Sequence, residues 1–323
     1  MRTRLTDVLG IEHPVMLAGM AGVAYHELVA AVSEAGGFGC LGASTLSTEG
    51  MVAEIGRIRA LTAEPFGVDL LTALPQDLYG NVEKLIAGGA TAFVAGLGVP
   101  RDVIELCHAR NVLVVNMCGR VRHAIDAVEA GCDLVVAQGT EAGGHTGRVA
   151  TMPLVPQVVD AVGDRVPVVA AGGLFDGRGL AAALALGADG VWIGTRFVAT
   201  PEARAVRGYK EVLGRTLEDG TVITKGYTGK TLRAVRNEWT DYVDQHPELV
   251  QPFPQQIFTA GEAGVFHLGG DETTEGVDPA RECYPAGQGV GAIRGLVPAA
   301  ELVHRMVEEA EAVLTRLGAL GRP

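Results

Sequence analysis

Eight short apolar runs, each followed by a stretch of helical period, leave few folds open to this chain. The runs are Pro14–Met20, Phe38–Ser44, Phe66–Leu71, Ala92–Gly98, Val112–Met117, Leu134–Gly139, Val166–Gly173 and Gly190–Phe197. They are too short for ordinary helices, rich in valine, and continuous rather than alternating. Strands of that kind are buried on both faces, as in a parallel sheet covered by helices. The segments between them carry the helices. Tyr25–Ala35 sets Leu28, Val29 and Val32 at helical spacing and stops at Gly36–Gly37. Thr48–Leu61, Asp77–Ala87, Arg101–Ala109, Val121–Ala130, Leu154–Val162 and Gly177–Leu186 read alike. Eight β units with room for crossover helices predict an α/β fold, a (β/α)8 TIM barrel. An open doubly wound sheet competes with it, but glycine-rich signals recur after many runs and not only after the first, which favours the barrel.

After Phe197 the regularity stops. Ala203–Leu213 and Leu232–Asp244 read as helical stretches among Pro and Gly. Pro298–Leu317 is a final amphipathic helix, with Leu302, Val303, Met306, Val307 and Val313 as its buried stripe. The expectation is a barrel of residues 1–199 and 286–323, with residues 200–285 inserted as a cap over the C-terminal face before the last barrel helix. An independent small domain is the alternative, disfavoured because the last helix completes the ring.

The net charge of 26 − 38 = −12 repels phosphate backbones, so nucleic acid is not an expected partner. Five cysteines (Cys40, Cys107, Cys118, Cys132, Cys283) without a CxxC make neither a disulfide framework nor a zinc site. The scattered histidines lack metal-ligand spacing. Met1–Gly10 lacks the apolar core of a signal peptide, and no apolar run is long enough for a membrane span, so a cytoplasmic location is expected. The frequency of homo-oligomers among enzymes leaves that state open.

Three features carry candidate chemistry. Ala171–Gly172–Gly173 ends the seventh run and Gly194–Thr195 follows GVWI in the eighth. In barrels this pair of loops commonly holds a phosphate, because glycine lets backbone N–H groups approach the oxygens. Tight turns alone would also explain the glycines. After the sixth run comes QGTEAGGHTG, placing His145 in a glycine-rich loop, where it can act as acid, base or hydrogen-bond donor or merely face solvent. Leu17–Ala18–Gly19–Met20 ends the first run with small residues that leave space for a flat ring, or simply make a turn. Asp69 and Glu141 are single acids without a partner at readable spacing, so a carboxylate-pair hydrolase is not expected.

The stretches HPVMLAGM, AVSEAGGFGCLGAST, PFGVDL, AQGTEAGGHTG, VPVVAAGGLFDGRGLAAALALGADGVWIGTRF and AGQGVG together resemble the nitronate monooxygenase family. The resemblance implies an FMN-binding barrel that oxidises alkyl nitronates, or nitroalkanes as such, with O2 to a carbonyl compound and nitrite. It implies Ala18, Gly19 and Met20 against the flavin ring, and Gln138, Gly143 and Gly144 beside the ring or ribityl chain. Ala171, Gly172, Gly173, Gly194 and Thr195 would hold the phosphate, His145 would face the substrate, and Gln288 would border the flavin. Asp69 stands where the family usually has Asn, and Met117 lies near a place where one branch has lysine. The same scaffold resembles NAD(P)H-dependent FMN reductases acting on enoyl thioesters or quinones, which is the alternative activity; a non-catalytic flavin-binding protein is the other.

Overall fold

The computed structural model describes residues 1–73, 76–96, 98–267 and 269–320. Eight parallel strands form its centre: β1 (Val15–Leu17), β2 (Gly39–Gly42), β3 (Phe66–Leu70), β4 (Ala92–Ala95), β5 (Leu113–Cys118), β6 (Leu134–Gln138), β8 (Val168–Ala171) and β9 (Gly190–Ile193). A two-residue strand, β7 (Gly144–His145), follows β6. The sheet runs β1-β9-β8-β6-β5-β4-β3-β2. A parallel bridge between Met16 and Phe38 brings its two edges together, with Leu17 N donating to Phe38 O and Phe38 N to Val15 O. The expected (β/α)8 barrel is the fold. Each of the eight runs contains one strand; Leu97, in the fourth run, lies outside the described residues.

The continuity of the runs has a direct cause. Successive strand side chains point to opposite faces, and here both faces are dry. Val15, Leu17, Phe66, Val68, Val114, Val135 and Val191 pack outward under the helices. Met16, Phe38, Cys40, Val94, Val115, Leu134, Val136, Val169 and Trp192 fill the interior. Leu5 and Leu9, on the helix Arg4–Leu9, join that inner cluster and plug one end. This helix carries no signal in the sequence reading.

The helices fall close to their expected ranges. Thr48–Leu61 and Val121–Ala130 match them at both ends. The helix expected from Leu154 begins at Thr151, because Pro153 sits in its first turn, where a missing N–H costs no helical bond. The last helix spans Ala299–Leu320.

Two expectations after the eighth run are corrected. Leu232–Asp244 is not one helix. Leu232–Val235 is a strand, β11, paired antiparallel with β10 (Thr221–Thr224) on one side and β7 on the other. Pairing on both edges outweighs the mild helical preference of Leu-Arg-Ala, and the helix starts only at Glu238, where the Asn237 side chain caps Thr240 N. The helix expected over Ala203–Leu213 is Tyr209–Arg215, preceded by Gly208 at φ 82°.

Leu5 has no accessible surface. Leu5→Ala is expected to lower unfolding free energy by about 2–5 kcal/mol in chemical denaturation, the cost of a cavity in a packed core. A loss under 1 kcal/mol would show that the plug helix is not part of the inner core.

Candidate active site

Inward positions recur every second residue, so the next layer above the packed interior can be counted along each strand. On seven of the strands it consists of Ala18, Asp69, Gly96, Met117, Gln138, Ala171 and Gly194, and these, with Trp192 from the interior below, line one cavity of about 390 Å³. Four of these floor residues are Ala or Gly. The walls come from the strand-end loops and from Thr228, Leu232, Ile257, Phe266, His267, Glu282 and Cys283, far along the chain. Of the residues singled out in the sequence, Ala18, Gly19, Met20, Asp69, Gln138, Gly143, Gly144, His145, Ala171, Gly172, Gly173, Gly194 and Thr195 lie together on this lining. Gln288 does not. Its side chain is exposed and borders a separate hollow, while its neighbours Gly287 and Gly289 line the main cavity.

Gly172 and Gly173 have φ of 105° and 73°, a region that residues with a Cβ rarely adopt. A Cβ on Gly172 would also stand 2.8 Å from both Gly139 O and Thr151 Oγ1. Thr195 Oγ1 accepts a hydrogen bond from Gly287 N at 3.0 Å, so its own proton is left to donate. Bare backbone beside a donating hydroxyl fits a phosphate. The small floor residues fit a planar ring. The residues present therefore fit the ring and a phosphate of a flavin nucleotide.

The loop after β6 is held from three sides. Glu141 Oε2 accepts from Thr151 N at 2.8 Å and Thr151 Oγ1 at 2.9 Å, which gives this acid the partner that sequence spacing hid. Gln138 Nε2 donates to the His145 carbonyl at 2.7 Å. β7 pairs with β11, matching His145 with Leu232 and Gly144 with Arg233. The Arg233 side chain is buried; its Nε donates to Thr140 O at 2.9 Å. Gly143 must be small, since a Cβ there would stand 2.8 Å from Ala286 C. None of Arg233, Thr228, Glu282 or His267 stands out in the sequence, because each reaches the site from a segment of irregular pattern.

His145 Nε2 lies 2.9 Å from Thr228 Oγ1. The hydroxyl has one proton and two acceptors in reach, the other being Lys230 O at 3.3 Å. Given to the nearer ring nitrogen, it leaves Nδ1–H as the donor of His145. Burial, and then the Lys230 ammonium, push the imidazole down to about 4. The ring keeps accessible surface where it meets the cavity, and water there softens the shift, but both causes act in one direction and the ring is neutral at pH 7. Asp69 shows the converse. It points inward beside Gly19, no described residue bonds its carboxyl, and burial pushes it up to about 8. At neutral pH it is a protonated acid that can donate as well as accept, as an asparagine amide does.

A family model described as nitronate monooxygenase matches residues 2–81 and 71–309. The (3aS,4S,5R,7aS)-5-hydroxy-7a-methyl-1-oxo-octahydro-1H-indene-4-carboxyl-CoA dehydrogenase of Mycobacterium tuberculosis is 40% identical over 245 residues, 76% of this chain and 69% of that protein. FabK from Thermotoga maritima superposes with a TM-score of 0.87 at 33% identity, covering 99% of each chain. Nitroalkane oxidase from Streptomyces ansochromogenes superposes with a TM-score of 0.83 at 31% identity, covering 97% of this chain and 99% of its own. No helix among the described residues is long and apolar enough to cross a membrane.

The raised Asp69 value has a definite sign. Between about pH 4, where an unfolded Asp titrates, and about pH 8, the native state holds a proton that the unfolded state has released, so stability falls as pH rises. Asp69→Asn is expected to melt above the parent at pH 8, with the gap closing toward pH 4, in thermal melts of flavin-free protein. A gap independent of pH would contradict a protonated Asp69. In NMR titration, the His145 ring signals should stay at their neutral positions down to about pH 5.

Proposed function

The chain belongs to the nitronate monooxygenase family, and we propose that it holds FMN over the strand ends and oxidises alkyl nitronates with O2 to a carbonyl compound and nitrite. The observation that carries this reading is the meeting, on one cavity lining, of small floor residues, the glycines 172 and 173 with Thr195, and His145. FMN, when bound, supplies electron acceptance from the substrate and reactivity toward O2.

The chain's own residues divide the remaining work. Gly172, Gly173 and Thr195 take the phosphate. The segment 287–289 closes against that cradle, with Gly287 N on Thr195 Oγ1 and a Cβ on Gly289 coming within 3.1 Å of Gly173 O. A closed cradle favours a terminal phosphate, and so FMN over a dinucleotide. Ala18, Gly19 and Met20 lie along one side of the floor, and Gln138, Gly143 and Gly144 along the other. Asp69, protonated, offers a donor at the floor. His145, neutral, offers one hydrogen bond to the nitronate oxygens, and Lys230 adds positive potential beside it. Residues 200–285 act as the cap, and its apolar side chains Leu232, Ile257 and Phe266 keep water from the substrate.

A second reading is favoured by the 40% identity to a dehydrogenase of a bulky carboxyl-CoA compound. In it, electrons come from or go to a nicotinamide and the substrate is a thioester or quinone. One anaerobic experiment separates the two. Mixed with propionate 3-nitronate or an alkyl nitronate, the yellow protein should change its flavin band rapidly, with no change from NADH or NADPH. Bleaching by a nicotinamide without a nitronate response would move the chain to the second reading.

A further inference from the structure

The wall contributed by residues 228–283 differs in chemistry from the floor. It carries Leu232, Ile257, Phe266 and Cys283. Leu232 and Cys283 belong to a separate apolar cluster with Tyr227, Ala234 and Ala260, and Phe266 packs against it. β11 sets Leu232 directly opposite His145. Residues opposite one another on an antiparallel pair share a face, with Cβ atoms about 4.5–5.5 Å apart, so apolar surface begins beside the histidine. The polar side chains of this wall are engaged. Thr228 Oγ1 meets His145 Nε2 at 2.9 Å, and the two Glu282 oxygens meet His267 N at 3.0 Å and Nδ1 at 2.6 Å. Ile257 comes from the helix Gln255–Glu262. Its neighbour Gln256 is buried; Nε2 donates to Gly226 O at 2.7 Å and Oε1 accepts from Gln251 N at 2.7 Å. Gly226 O also accepts from Trp239 Nε1 at 3.1 Å. The turn that presents Ile257 to the cavity is therefore pinned.

We propose that Leu232, Ile257 and Phe266 form a subsite for the aliphatic chain of the substrate, and that Ile257 sets the chain length it accepts. The proposal rests on the nitronate reading for the head group: with the nitronate oxygens at His145, the chain leaves along Leu232. Each CH2 buried against fixed apolar side chains is worth about fourfold in binding. A cavity of about 390 Å³ is at the small end for one drug-sized ligand, and the flavin ring claims the floor, so the gain ends after a few carbons. The end is abrupt, because a methylene without room forces packed side chains off their rotamers. Ile257 fits the part of gauge: it is half-buried, lines the cavity, and stands on a helix that Gln256 holds in place.

The test is kcat/KM of the holoenzyme for the nitronates of nitroethane, 1-nitropropane, 1-nitrobutane, 1-nitrohexane and 1-nitrooctane. The parent should gain about fourfold per CH2 from ethyl to butyl and nothing from hexyl to octyl. Ile257→Ala should move the break to longer chains, so that octyl exceeds hexyl. Ile257→Trp should move it to shorter ones, so that butyl no longer exceeds ethyl. Opposite shifts cannot come from a general loss of folding. Phe258 is 61% exposed, and Phe258→Ala should leave the series as in the parent. A parent series flat from ethyl to butyl, or a break that stays in place in both Ile257 variants, would overturn the assignment. An unreactive series, 1-propanol to 1-octanol titrated into the oxidised holoenzyme and read as a flavin difference spectrum, separates the subsite from the nitronate reading. Alkanol affinity should rise with chain length and break where the residue at 257 directs. If it does so while nitronates leave the flavin band unchanged, the subsite stands and the nitronate reading fails. If nitronates turn over and neither series depends on chain length, that reading stands and the subsite fails.

Discussion

Once eight strands close on one another, every second side chain must fit inside the ring. That constraint governs the rest of this molecule. The lower interior is filled by Met16, Phe38, Val94, Val115, Leu134, Val136 and Val169, with Leu5 and Leu9 stopping the bottom. The layer above turns to Ala18, Gly96, Ala171 and Gly194, and the packed core becomes a cavity. The transition needs no change of backbone, only smaller side chains at the same inward register. It also explains Asp69. At the cavity floor the inward carboxyl of β3 is half-buried and largely withdrawn from bulk water, which drives it toward its protonated form.

The barrel was legible because its physics is local. Continuous valine-rich runs bounded by glycine report strands buried on both faces, and the glycines at 172, 173 and 194 mark strand ends that turn with bare backbone. His145 stood out for the same reason: its loop is too rich in glycine to be core. What stayed hidden is non-local. Leu232–Val235 reads as helix until β10 and β7 offer edges on both sides. Glu141 looks solitary until the helix N-terminus at Thr151 comes to meet it. Gln288 was drawn in by its motif, yet a motif fixes the backbone path and not the side-chain direction; the glycines on either side line the cavity while the glutamine points elsewhere.

The wall of the cavity is built by residues that share no local pattern. Thr228 engages His145 across 83 positions and Arg233 reaches Thr140 across 93. Through β7 and β11 the histidine loop belongs as much to the three-stranded sheet as to the barrel. A shift of that sheet would move His145 and the Thr228 contact together.

The central claim is that one phosphate cradle, Gly172–Gly173 with Thr195, anchors a flavin mononucleotide over the small-residue floor. Its most direct measurement is the affinity of flavin-free protein for FMN against riboflavin, in the parent and in Gly173→Ala and Thr195→Val. The account predicts that FMN binds at least about 10²-fold more tightly than riboflavin, as charge-assisted hydrogen bonds to a phosphate require, and that both substitutions shrink this ratio while riboflavin affinity holds. Equal affinity for the two flavins in the parent, or a ratio untouched by either substitution, would contradict it.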